Sequence, residues 1–447
     1  MPNRKTEMLR TPQISGFSQS ITKENVRSFR SIGYITKLVG LTIESAGPIC
    51  AIGDFVSIRS TVDSKEHFAE VVGFRDDRVL LFPLEGIEGI RNGDKVILIN
   101  EGFTVPVGPQ LLGRVIDGLG RPIDRDEPII GEQHWKVRRL APNSMMRTRI
   151  KDPFITGVRS IDSAIMCGNG QRVGIFSGSG VGKSSVMGMI CRNSSSDMNV
   201  ISLIGERGKE VLEFIHDSLG EEGLKKSVVI VSTSDKSPLQ RVKGAETSMA
   251  IAEYFRDQGK NVLMVMDSVT RYAMAQREIG LAVGEPPATR GYPPSVFSML
   301  PALLERAGTN EKGSITGFFT VLVEADDMND PIGDTVRSIL DGHIVLSREL
   351  AHHGHYPAVD VLQSVSRVMN NVATEDHIKL AQQLRMLLSS YRKAEDMINI
   401  GAYKAGSNPE IDRAIKKKSP IDAFLRQNLF EKVSWDMTYE NLKAVLA

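Results

Sequence analysis

Ser177-Gly178-Ser179-Gly180-Val181-Gly182-Lys183-Ser184 decides how this chain is read. The apolar run from Arg172 to Phe176 precedes it and reads as a buried strand; Ser184 to Arg192 follows with a helix-compatible pattern. In a strand, glycine-dense turn and helix, backbone N–H groups close around phosphate oxygens and the helix N-terminus adds its dipole. Residues 177–185, Ser185 included, are therefore the nucleotide-binding candidates, with Lys183 reaching the terminal phosphates and the Ser184 hydroxyl ligating Mg²⁺. Ser177 stands where the P-loop pattern has its first glycine, but Gly178 lies beside it and Gly180 keeps the turn flexible. The plain alternative is a glycine-rich turn with no ligand. Lys-Ser placed behind a strand favours a bound nucleotide such as ATP.

A chain of 447 residues has room for two or three domains with a substantial core. With 55 Lys plus Arg against 54 Asp plus Glu, the net charge of +1 gives no global argument for nucleic acid or membrane binding. Cys50, Cys167 and Cys191 are far apart, without metal-ligand spacing, which suits a reducing compartment. The polar start resembles no signal peptide, and no apolar run approaches the roughly twenty residues of a membrane span. A cytoplasmic protein is expected. Arg4, Lys5, Arg10, Lys23, Arg27, Arg30 and Lys37 face only Glu7 and Glu24 near the start. That imbalance reads as a solvated basic arm, or as a docking segment for an acidic partner or lipid head groups.

The rest of the chain has three grammars. Between 32 and 105, short apolar runs such as Phe55-Val-Ser-Ile58 and Lys95-Val-Ile-Leu-Ile99 alternate with turn residues at Gly47-Pro48, Asp76-Asp77 and Asn92-Gly93-Asp94. Close strands without helices predict a small β-barrel. Sparse basic and aromatic residues on those strands point to packing or assembly rather than nucleic acid. Residues 106–150 are rich in Gly and Pro and read as a connection. From 151 to about 375, strand-like runs at 173–176, 199–204, 228–231, 261–266, 318–323 and 343–346 alternate with helical stretches. This predicts a parallel sheet covered on both faces, with its ligand at the carboxyl ends of the strands. The last stretch carries helical spacing over Asp376–Ile400 and, more briefly, over Pro420–Val433. The expected fold is α/β: arm 1–31, β-barrel 32–105, central P-loop (RecA-like) domain 106–375 including the connection, and helical domain 376–447.

Phosphoryl chemistry on such a sheet needs an acid for the metal, a group that orients water and a cation for the transition state. Asn261-Val-Leu-Met-Val-Met-Asp267 is a buried strand ending in an acid, which would hold Mg²⁺ through its water shell or else cap the next helix. A second strand delivers Glu206-Arg207 at its carboxyl end, either as a water-polarising catalytic pair or as a surface ion pair. The segment Tyr356 to Arg367 offers an aromatic that could stack on a base and an isolated cation. Read alone, a core tyrosine and a surface arginine fit as well. His352-His353-Gly354-His355 lacks a suitably spaced Cys or acid and reads as a polar turn. Asp326-Asp327-Met328-Asn329-Asp330 lacks the glycine and distal glutamate of a calcium loop and reads as an acidic loop.

Gly205-Glu-Arg-Gly-Lys-Glu210, Asp267-Ser-Val-Thr-Arg-Tyr-Ala-Met-Ala-Gln-Arg-Glu278, Gly284-Glu-Pro-Pro-Ala-Thr-Arg-Gly-Tyr-Pro-Pro294 and Asp326-Asp-Met-Asn-Asp-Pro331 together resemble the catalytic subunits of rotary ATPases. The nearer likeness is to type III export ATPases, over roughly residues 30 to 440. The resemblance implies hydrolysis of ATP with Mg²⁺. It places Lys183 on the phosphates, Ser184 and Asp267 at the metal, Glu206 as the carboxylate that activates water, and Tyr356 against the base. Arg367 matches the finger that enters a neighbour's site, which implies a ring of six identical subunits. Also implied are stalk and export-gate proteins, a negative regulator, substrate–chaperone complexes, and a place at the inner face of the cytoplasmic membrane. Proton-driven synthases carry an acidic loop where this chain reads Ile400-Gly-Ala-Tyr-Lys-Ala-Gly-Ser-Asn-Pro409, and Gly208-Lys-Glu210 replaces their usual Thr-Arg-Glu-Gly. Both departures favour export, and the overall wording favours its flagellar branch over the injectisome.

Overall fold

The computed structural model describes residues 31–60, 62, 65–100, 102–323 and 330–447. The basic arm lies outside these apart from Ser31, as does the acidic loop apart from Asp330.

Six strands close into a barrel: β1 (Ile32–Val39), β2 (Thr42–Ala46), β3 (Phe55–Arg59), β4 (Glu66–Arg75), β5 (Arg78–Pro83) and β6 (Lys95–Asn100), in the order β1-β2-β5-β4-β3-β6. Alternation turns Ile35, Ile43, Val56, Ile58, Val71, Leu81 and Val96 inward. Asp76 and Asp77 both take left-handed backbone, φ 45° and 60°, as the tight hairpin between β4 and β5 requires. β2 shows no strand-like run in the sequence, because three of its five residues, Thr42, Glu44 and Ser45, are polar.

Beyond the barrel, β7 (Thr104–Val107) pairs with β9 (Gln133–Lys136), and β10 (Pro153–Phe154) with β11 (Cys167–Gly168). The main sheet is built from β8 (Val115–Asp117), β12 (Arg172–Ser177), β13 (Met198–Ile204), β14 (Ser227–Ser232), β15 (Asn261–Asp267), β17 (Ser314–Leu322), β18 (Gly342–Leu346) and β19 (Val359–Ser366), with β16 (Gly308–Thr309) beside β17. Its order is β19-β18-β12-β17-β15-β13-β14-β8. Neighbours from β8 to β18 run parallel, while β19 is antiparallel at the edge. Every residue of β13 and β14 is buried, as expected of strands covered on both faces. The stretch read as a connection thus supplies an edge strand, β8, too short for its periodicity to show.

Helices α1 (Arg159–Ala164), α2 (Lys183–Asn193), α3 (Gly208–Glu213), α4 (Gly220–Lys225), α5 (Pro238–Asp257), α6 (Val269–Val283), α7 (Pro294–Leu304), α8 (Pro331–Ile339), α9 (Arg348–His352) and α10 (Met369–Val372) accompany the sheet. Asp330 caps α8 by accepting from the Ile332 and Gly333 N–H groups. A closed ring of charges ties barrel to sheet domain. Lys243 Nζ lies 2.5 Å from Glu70 and 2.9 Å from Glu246, while Arg138 reaches the same two carboxylates at 3.0 and 2.9 Å.

The C-terminal helices are α11 (Glu375–Asn399), α12 (Pro409–Leu425) and α13 (Trp435–Leu446). The first matches expectation. The second does not run from Pro420 to Val433. Asn408 starts it, accepting from the Glu410 and Ile411 N–H groups with Pro409 in the first turn, and Pro420 lies inside. The chain leaves the helix after Leu425, and Ser434 caps α13.

Candidate active site

β12 carries the phosphate loop to the carboxyl edge of the sheet. Ser177 is its last residue, paired with Leu322 on one side and Leu346 on the other. Extended backbone accepts any side chain there, so a serine fits where the written pattern has glycine. Gly180 and Gly182, at φ 78° and 94°, do require glycine. Val181 anchors the turn in the core, while Ser179 and Gly180 face solvent. Gly182 precedes α2 with no side chain capping its N–H groups, which leaves donors for an anion. Ser184 is exposed in the first turn and Ser185 half-buried. The buried Ser177 hydroxyl has no hydrogen-bond partner.

Lys183 Nζ lies 2.5 Å from Asp267 Oδ1 and 3.7 Å from Glu206 Oε1. Thr320 Oγ1, on β17 between the two strands, donates to the same Asp267 oxygen at 2.7 Å. Asp267 does not cap the following helix, because Ser268 accepts from the Arg271 N–H instead. Burial alone would lower the Lys183 pKa, but Asp267 and Glu206 outweigh it and hold the ammonium charged. Glu206 moves the other way. Burial first, then the Asp267 charge, push its carboxyl up to about 7 against the pull of Lys183, and a hydrogen bond with Glu210 adds to the rise. Its buried Oε1 has no hydrogen-bond partner.

The remaining candidates divide. The Tyr356 ring lies against the phosphate loop, since a Cβ on Gly182 would stand 3.6 Å from its Cδ1 and Cε1. Tyr356 is 47 % exposed. Arg207 projects outward, its side chain 83 % exposed and its ion pair made with Glu210 at 3.7 Å. Arg367 is not brought to the cluster. β19 runs back along β18, so Val359 pairs with Leu346 near the phosphate loop while Ser366 pairs with Gly342 at the far end. Four strand steps place Ser366, the residue before Arg367, roughly 13 Å down the sheet. Sequence reasoning misses Thr320, the hydrogen bond of Glu210 to Glu206, and Arg348, whose Nη1 reaches the Ser179 carbonyl at 3.4 Å. Thr320 left one signal, a hydroxyl inside the otherwise apolar run Phe318–Val323.

Mg²⁺ fits these residues. The Asp267 carboxylate, the Ser184 hydroxyl and the Glu206 carboxylate are hard oxygen donors, the set that ion takes together with phosphates. No cluster of three or more His, Cys, Asp or Glu able to hold a metal occurs among the described residues. His355 is buried there rather than turned outward, at 5 % exposure.

Known proteins match this arrangement segment by segment. The β-barrel domain of the ATP synthase alpha/beta family matches residues 35–99 and its nucleotide-binding domain residues 157–366, while the T3SS EscN ATPase C-terminal domain matches 373–444. Over 409 residues the chain is 53 % identical to the flagellum-specific ATP synthase of Bacillus subtilis, covering 91 % of this chain and 93 % of that one. The chain belongs to the ATP synthase alpha/beta family. Within that family it is 48 % identical to the type 3 secretion system ATPase of Xanthomonas euvesicatoria, over 93 % of this chain and 94 % of the other. The assembled ATPase EscN in complex with its central stalk EscO, from the enteropathogenic E. coli type III secretion system, superposes with a TM-score of 0.86. Identity there is 47 %, covering 93 % of this chain and 100 % of EscN. The chain is an ATPase of this flagellar and type III secretion branch, with the family's barrel, nucleotide-binding α/β domain and C-terminal helices. No helix among the described residues is long and apolar enough to cross a membrane.

Proposed function

We propose that this ATPase hydrolyses MgATP in a ring of six identical subunits and drives flagellar type III protein export. Lys183 and the N–H groups of residues 177–185 hold the phosphates, and Tyr356 lies against the base. Ser184 and Asp267 would hold Mg²⁺, which neutralises phosphate charge when bound. Glu206 orients and deprotonates the attacking water, with Arg207 beside it at the mouth of the site. Arg367 enters the neighbouring subunit's site and stabilises charge in the transition state.

One observation carries the reading: Lys183, Asp267 and Glu206 converge at one edge of the sheet, while Arg367 leaves β19 at the other. A cation so placed cannot serve its own phosphate loop, whereas a ring delivers it to the next subunit. The stalk in the EscN complex supports a central shaft for this ring as well. Export-gate proteins, a negative regulator and substrate–chaperone complexes are the further partners, the last at the helical end from 376. The basic arm at 1–31 docks the ring on the inner face of the cytoplasmic membrane. The overall wording of the sequence supports the flagellar branch over the injectisome.

Recovery of the intact protein from its cell with bound partners tests this. Flagellar export components support the proposal, needle components move it to the injectisome, and a related non-catalytic subunit of a proton-translocating ATPase refutes it.

A further inference from the structure

Where the chain leaves α12, residues 426–431 are gripped by the nucleotide-binding domain. Gln427, 6 % exposed, is the centre of the grip. Its backbone N–H donates to the Tyr356 carbonyl at 3.0 Å. Its side-chain oxygen accepts from the Arg159 N–H at 2.9 Å, and its amide nitrogen donates to the carbonyls of Gly157 at 2.9 Å and Glu431 at 3.2 Å. Arg159 also clasps Glu431 at 2.6 Å. From the other side Arg192, in the last turn of the phosphate-loop helix, donates to the Leu429 carbonyl and lies 4.8 Å over the Phe430 ring.

We propose that Gln427 is a positioning residue for nucleotide binding, setting where Tyr356 stands against the phosphate loop. The inference rests on the reading of Tyr356 as the residue against the base. An amide with both donors and its acceptor engaged in a buried site has one orientation and one place. Its own backbone N–H is what holds the Tyr356 carbonyl, so fixing the side chain between Gly157 and Arg159 fixes the tyrosine. The same residue begins the passage to α13, so α12 and the base pocket share one anchor.

Gln427→Glu separates this role from packing. It keeps volume and still accepts from the Arg159 N–H, but sets a carboxylate oxygen against the acceptors of Gly157 and Glu431. With the full-length ATPase, KM for ATP and the Kd of a slowly hydrolysed ATP analogue are expected to rise about tenfold, with kcat within about twofold. Gln427→Met, of similar size and uncharged, should raise both about threefold and provides the measurement if the glutamate variant folds poorly. In a Tyr356→Ala background either change at 427 should add less than about twofold, because the tyrosine it positions is gone. Unchanged KM in both single variants, or an undiminished effect in that background, overturns the proposal. If Tyr356→Ala itself leaves analogue affinity unchanged, the reading of Tyr356 falls and takes the proposal with it. If only the changes at 427 are silent, the positioning role alone falls.

Discussion

Lys183 Nζ stands 2.5 Å from Asp267 Oδ1 although their strands are not neighbours, since β17 runs between β12 and β15. The lysine crosses that strand from the start of α2, and the crossing point is furnished by Thr320, which donates to the same carboxylate oxygen. Four adjacent strands thus deliver a cation, a hydroxyl and two carboxylates to one edge.

Thr320→Val should lower kcat by about tenfold, the scale of one hydrogen bond to a charged group, with a KM change within about twofold. Steady-state ATP hydrolysis checks it, alongside an unfolding curve to show that the fold persists.

The raised Glu206 carboxyl sets the direction of the pH response. As a base Glu206 acts only when ionised, so activity falls as pH drops through its value of about 7. A plot of kcat/KM against pH should show an acidic limb centred there. Glu206→Gln should remove that limb and reduce turnover by about 10²–10⁴-fold, with ATP still bound.

The charge ring between barrel and sheet domain is a matter of stability. Burial would raise the Glu246 carboxyl, but Lys243 first and Arg138 next hold it well below its usual 4.5. A depressed carboxyl contributes stability that is fully present above 4.5 and fades as pH falls through the lowered value. Glu246→Gln leaves Lys243, 2 % exposed, and Arg138 to share Glu70, and should cost about 3–5 kcal/mol in urea unfolding near neutral pH.

Gly182 needs its left-handed backbone at φ 94°. Gly182→Ala should weaken ATP analogue binding by about tenfold or more, because the strain of about 1–2 kcal/mol is relieved only by reshaping the loop. Equilibrium binding of the analogue measures it.

What the sequence disclosed follows from locality. The phosphate loop, the apolar strands and the turns at Gly47-Pro48, Asp76-Asp77 and Gly93 are written in consecutive residues, and the structure puts them where their pattern says. What stayed hidden depends on register between distant segments. Nothing local announces that Thr320 faces Asp267, that Gln427 meets Gly157 and Arg159 some 270 positions away, or that β19 turns Arg367 from its own site. The start of α12 was legible in Asn408-Pro409, but a later proline competed with it.

Most of the mechanism depends on one claim, that a site is complete only with Arg367 from the next subunit. Rings co-assembled from equal amounts of Lys183→Ala and Arg367→Ala subunits test it directly. Each variant alone should be inactive. In the mixture, an Arg367→Ala subunit supplies an intact phosphate loop and a Lys183→Ala neighbour supplies the arginine, so random assembly should restore about a quarter of wild-type ATP hydrolysis. Mixed rings that form but stay inactive would contradict the account.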